Sequence, residues 1–195
     1  MEAMRSTTLR LGVAALVALS LTACGSDDDG DTSDEHAGSD HSASSDGEDH
    51  SGHVMNEPDA TPANELTDAD LREGTFTLLD TAPPGSDAVA GDVWVAENSD
   101  GTTVTVALTG LAADTDYMLH LHDAKCEVDN GGGHFAFDPA GSDQPPNEVH
   151  LAFTSDANGA GTATVTNPQK VGDAAKSIVV HPAELMDNRL ACANF

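Results

Sequence analysis

The sequence predicts an antiparallel all-β fold, a sandwich or barrel, for residues 66–195. Three observations predict it. Short runs rich in Val, Thr, Leu and Phe recur along this part of the chain, and Gly, Asn, Asp and Pro separate them. Several of these runs alternate apolar and polar side chains, which is the period of a half-buried strand. No stretch sustains a 3.6-residue apolar period, apart from a possible helical turn in "LTDADLRE" (66–73). Many short strands with regular turns belong to sandwiches and barrels.

The strands follow in order. "GTFTLLD" (74–80) is the first, closed by the turn "APPGSD". "AVAGDVWVAE" (88–97) and "TTVTVALTG" (102–110) flank "NSDG" with β-branched alternation on each side, which predicts a hairpin. "TDYMLHLH" (115–122) comes next, and a long loop runs from Asp123 to Glu148. "VHLAFTS" (149–155), the turn "DANG" and "AGTATVTN" (160–167) predict a second hairpin. "SIVVHP" (177–182) and "RLACANF" (189–195) complete eight strands. There is no internal repeat and no phosphate-binding glycine loop.

The first 65 residues are different material. Arg5 and Arg10 precede an apolar run from Leu11 to Leu21, which is shorter than the roughly 20 residues that span a bilayer. This fits a secretory signal peptide over 1–23. Its end, Leu21-Thr22-Ala23-Cys24, resembles the bacterial lipobox, in which the cysteine is lipidated and begins the mature chain. The alternative is an ordinary cleaved signal with an incidental cysteine. Lipidation of Cys24 predicts an exported protein held at the cell membrane on its extracytoplasmic face. Residues 25–65 hold 13 acidic side chains, no Lys or Arg, and little apolar surface. Such a segment cannot offset its ordering entropy, so a disordered tether is expected over 24–65. It carries His36, His41, His50 and His53, with Met55 nearby, and these read as a polar linker or as a weak copper-gathering arm.

From Leu66 onward there are 20 Asp and Glu against five Lys and Arg, a net charge near −15. That charge excludes nucleic acid and anionic membrane surfaces as partners of the domain itself. If Cys24 carries lipid, Cys126 and Cys192 remain as an even pair in an oxidising compartment, where a disulfide is expected.

Five of the nine histidines fall in the domain: His120, His122, His134, His150 and His181. His120 and His122 sit two apart on one predicted strand, so both point to one face while Leu119 and Leu121 point to the other. Two imidazoles so placed can grip one metal ion, or can simply occupy a solvated face. No helical His/Glu pair of the metalloprotease type and no Gly-x-Ser-x-Gly elbow is present.

Four segments in order, "HLH" (120–122), "GGHF" (132–135), "SIVVHP" (177–182) and "NRLAC" (188–192), resemble the copper-zinc superoxide dismutases. The resemblance extends over roughly residues 72–195 and implies an eight-stranded Greek-key β-barrel. It implies that His120, His122, His134 and His181 ligate copper, and that His134 is the histidine that bridges copper to zinc. It implies a Cys126–Cys192 disulfide that ties the long loop to the last strand. Arg189 matches the arginine that draws superoxide to the copper; without the resemblance it reads as a surface salt bridge.

The departures from the family pattern concern zinc. Between His134 and the next strand the chain offers only His150, with Asp138, Asp143 and Glu148, and none falls cleanly on a zinc-ligand position. The loop between His181 and Cys192 is short. The chain therefore looks like the copper-only, zinc-depleted branch, in which a carboxylate orients the bridging histidine. Glu148 is the candidate for that role and His150 its rival. The function expected is a copper-dependent superoxide dismutase acting on the superoxide anion; a non-enzymatic copper-binding lipoprotein is the alternative. No copper donor can be named from the sequence.

Overall fold

A computed structural model describes residues 55–195. The leader, Cys24 and the tether histidines His36, His41, His50 and His53 lie outside the described residues. The strands are β1 (Asp70–Thr75), β2 (Thr77–Leu78), β3 (Ala90–Asn98), β4 (Gly101–Thr109), β5 (Asp116–His122), β6 (His150–Thr154), β7 (Gly161–Asn167), β8 (Ser177–Pro182) and β9 (Ala191–Asn194). They form two antiparallel sheets, a four-stranded one in the order β1-β3-β4-β7 and a five-stranded one in the order β2-β9-β8-β5-β6. The chain crosses between sheets after β1, β2, β4, β6 and β7, and the later crossings follow Greek-key fashion. Among the described residues no helix is long and apolar enough to cross a membrane.

The core lies between the inner faces. Val93, Val95, Val104 and Val106 of one sheet meet Leu119, Leu121, Leu151, Ile178 and Val180 of the other, all at most 1 % exposed. Each such side chain contributes about 1.5–3 kcal/mol through burial. The β3–β4 hairpin forms as the alternation predicts, from Ala90↔Thr109 to Asn98↔Gly101. Gly101 has a φ of +130°, and a Cβ there would fall 2.0 Å from the Asn167 carbonyl oxygen, so the turn admits only glycine.

Four expectations are corrected. The first strand is broken at Phe76, whose buried ring turns inward while its N–H bonds to the Gly91 carbonyl (2.8 Å), and this split makes nine strands rather than eight. The possible helical turn in 66–73 is instead the approach to β1 together with that strand's first four residues. That strand pairs with the otherwise open edge of β3, and Arg72 binds Glu97 at 2.8 Å. A ladder on a waiting edge outweighs a single helical turn, whose nucleation is unfavourable. The segments 149–155 and 160–167 are not a hairpin, because β6 pairs with β5 and β7 pairs with β4. Their link is an arch seated on residues 111–115, with the buried Ser155 hydroxyl bonding the Ala112 and Thr115 carbonyls.

The last correction concerns the expected boundary at Leu66, since packed structure already begins at Met55. The Ala152 N–H donates to the Met55 carbonyl (2.8 Å), and the Glu57 N–H donates to the Thr164 carbonyl (2.7 Å). The Glu57 carboxylate accepts from the Thr166 N–H (2.9 Å) and hydroxyl. Ala63 is fully buried, and its N–H donates to the Thr105 hydroxyl (2.9 Å). Charge density marks this segment as tether-like. The seven consecutive residues from Asp59 to Glu65, however, include two alanines and three other uncharged side chains (Thr61, Pro62 and Asn64) that can lie flat on the sheet.

Candidate metal centre

The alternation on β5 sends Leu119 and Leu121 into the core and His120 and His122 to the outer face. That face is not solvated. The loop 123–149 folds over it, leaving His120 and His122 only 2 % and 0 % exposed. The loop returns along the end of β5, with the Phe135 N–H donating to the Leu121 carbonyl (2.8 Å) and His134 opposite His122. This lays His134 over the same face. β8 lies beside β5 with His181 opposite Met118, which brings the fourth imidazole alongside. Each of the four offers a nitrogen, and these atoms all lie within 4.8 Å of one another. The disulfide Cys126–Cys192, with Cα atoms 5.8 Å apart, ties the start of the loop to β9.

Hydrogen bonds decide which nitrogen each ring presents. The His122 Nδ1–H donates to the Gly132 carbonyl (3.3 Å) and the His181 Nδ1–H to the Met186 carbonyl (2.7 Å). The His134 Nδ1–H donates to Glu148 Oε2 (2.8 Å). Nε2 of all three rings is therefore the bare lone pair. His120 Nδ1, His122 Nε2 and His181 Nε2 are buried with no hydrogen-bond partner among the described residues. A buried polar atom left unpaired is expensive, so three of them converging on one point indicate a ligand that completes them. Four imidazole nitrogens suit copper, whose affinity for nitrogen donors exceeds that of the other divalent first-row metals. The residues present fit that metal.

Electrostatics keeps the lone pairs free. Burial, followed by repulsion from the neighbouring imidazoles, lowers His120 to a pKa of about 2. Burial, His134 and the Arg189 cation lower His122 to about 3. Burial lowers His181 to about 4 against the opposing Met186 hydrogen bond. At neutral pH these rings need lose no proton to bind a cation.

Arg189 stands at this site rather than in a surface salt bridge. Its Nη1 donates to the carbonyls of Asp129 (2.8 Å) and Asn130 (3.0 Å), which fixes the guanidinium while leaving its charge uncompensated by those bonds. The carbonyls are presented by a tight turn in which Asp129, Asn130, Gly131 and Gly132 all have positive φ. At Gly131 a Cβ would come within 2.9 Å of Val179 and 3.4 Å of the His122 ring, so the turn can press against the site only with glycine there.

Glu148 and His150 are partners here rather than rivals. Glu148 Oε2 accepts from His134 Nδ1 (2.8 Å) and from His150 Nε2 (2.9 Å), and both Glu148 and His150 are buried. His134, Glu148 and His150 form a second close group of metal-capable side chains, which Asp138 and Asp143 do not join. The main-chain carbonyls that orient His122, His181 and Arg189 were invisible to sequence reasoning, because any residue type supplies a carbonyl.

No family model matches the sequence. No curated protein matches it either. Among solved structures, the fold is similar to a Cu/Zn superoxide dismutase from Brucella abortus, at 19% identity and a TM-score of 0.47, covering 64% of this chain and 99% of that one.

Proposed function

We propose that this chain is a copper-dependent superoxide dismutase that works without zinc. The observation that carries the reading is the set of three buried, unpaired imidazole nitrogens converging with His134, whose remaining nitrogen is held by Glu148. His120, His122, His134 and His181 would hold the copper. Copper, when bound, supplies one-electron exchange between two superoxide anions, giving oxygen and, with two protons, hydrogen peroxide. Glu148 keeps the Nδ1 proton of His134 in place and so keeps Nε2 turned to the cluster, the support a ligand imidazole needs. Arg189 places a fixed cation beside His122 and His181, in a domain whose net charge near −15 otherwise repels an anion.

Zinc is not part of this proposal. The carboxylate oxygen that would turn to a second ion already accepts two imidazole N–H groups. The disulfide supports an extracytoplasmic setting, and the "LTAC" leader ending supports anchoring through a lipid on Cys24. A second reading, a copper carrier of the same fold, is favoured by the domain's acidity, which attracts cations and repels superoxide. Copper and zinc analysis of the purified protein, together with a superoxide assay, decides between them. One copper per chain, little zinc and rapid dismutation are expected. Stoichiometric zinc would overturn the zinc-free assignment, and copper without activity would leave the carrier.

A further inference from the structure

Glu148 is held by more than its contact with His134. Its Oε2 also takes the Nε2–H of His150 at 2.9 Å, and His150 is itself 5 % exposed, at the first position of β6 directly opposite His120. The His150 ring meets the His120 ring edge-on, with centroids 4.4 Å apart. His150 Nδ1 has no partner among the described residues. A neutral imidazole carries one proton, and a carboxylate beside one nitrogen draws it there; the unpartnered nitrogen is then the bare one. A carboxylate oxygen with one N–H donor can swing about its terminal torsion, which is broad for Glu. With a second, buried donor on the same oxygen that swing breaks a bond.

The geometry points to His150 as a positioning residue for the metal centre. By donating Nε2–H to Glu148 Oε2 it locks the carboxylate in the one orientation that holds His134 as the Nδ1–H tautomer, with Nε2 facing the other three histidines. The inference deepens the copper reading and rests on it for its purpose. Its geometry concerns only this chain's own side chains. It also gives the second group of metal-capable residues a different task. His150 and Glu148 form a hydrogen-bonded clamp rather than a ligand set.

The test uses the full-length mature protein, labelled with ¹⁵N and free of metal, and reads the ring tautomers from long-range ¹H–¹⁵N correlations. Wild type is expected to show His150 protonated on Nε2 and His134 protonated on Nδ1. His150 found protonated on Nδ1 overturns the inference without any variant. His150→Phe keeps the ring against His120 but removes the donor, and it should leave His134 a mixture of tautomers. With added Cu(II) alone, it should broaden the copper electron paramagnetic resonance signal and weaken copper binding about tenfold. His150→Gln restores a donor of similar reach and should bring both readouts back to within about threefold of wild type. A phenylalanine variant with wild-type tautomers and copper signal refutes the role. So does a glutamine variant as defective as phenylalanine, because packing alone would then explain both. A wild type with the expected tautomers but no dismutation would sink the enzymatic reading and leave the clamp intact.

Discussion

Glu148→Ala tests the carboxylate on which the centre is built. The side chain is buried and its Oε2 accepts two imidazole N–H groups at 2.8 and 2.9 Å. A hydrogen bond to a charged group contributes about 1.5–3 kcal/mol net, so two such bonds set an upper bound of about 3–6 kcal/mol. The variant also removes the desolvation cost of a buried carboxylate, which offsets part of that loss and leaves about 2–4 kcal/mol. In a domain of this size each kcal/mol shifts Tm by about 3 °C, so thermal unfolding of the metal-free variant should fall by about 6–12 °C. Glu148→Gln keeps an acceptor oxygen and loses the charge, so about half that shift is expected. Copper affinity, measured by competition with a chelator, should drop about 10–100-fold in the alanine variant because His134 loses its orientation. An alanine variant within about 2 °C of wild type in Tm and about twofold in copper affinity would refute the reasoning.

Arg189→Ala should keep its copper and lose about 10–100-fold in dismutation rate, since a cation about 6–12 Å from a bound anion contributes about 1.4–2.8 kcal/mol at an effective dielectric near 20. Full activity in that variant would remove the guiding role, and wild-type activity should also fall with salt as the field is screened. The metal-free domain should lose stability as pH falls. His120, His122 and His181 have folded pKa values of about 2, 3 and 4, below the unfolded value near 6.5. The unfolded chain therefore binds more protons between those limits, and stability declines from about pH 6.5 downward. A chemical-denaturation midpoint that stays flat from about pH 7 to about pH 4 would contradict this. Cys24→Ser should move the protein from the membrane fraction to the soluble exported fraction. Unchanged fractionation would end the lipid-anchor proposal.

Much of the histidine cluster was legible because metal-ligating chemistry confines residue types. The i, i+2 spacing of His120 and His122 is a statement about one face of a strand, and β5 carries it out. Cys126 and Cys192 join as the cysteine count anticipates. What stayed hidden depends on which strand is next to which. Alternation says that Leu151 and Ala163 belong to strands, but not that the turn between them is an arch between sheets. That partition is set by the Ser155 hydroxyl and by a Gly159 whose Cβ would lie 2.2 Å from the Leu111 carbonyl oxygen. His150 and Glu148 are two residues apart, which on a straight strand makes them neighbours of equal standing. Only the loop that lays His134 against Glu148 ranks one as holder and the other as support.

The segment from Met55 to Glu57 has a bearing on solubility. β6 and β7 are the last strands of their sheets, so each leaves a row of main-chain groups without a neighbouring strand. Such rows are templates on which another molecule can add a strand. Met55 occupies the Ala152 N–H, Asn56 and Glu57 occupy main-chain groups of Thr162, Thr164 and Thr166, and all of this is done by the chain itself. Three residues thus act as an intramolecular stopper on the seam where copies of the domain would otherwise stack. A chain shortened to begin at Leu66 would uncover both rows at once, and it would be caught by light scattering as a self-associating protein well before it lost its histidine cluster.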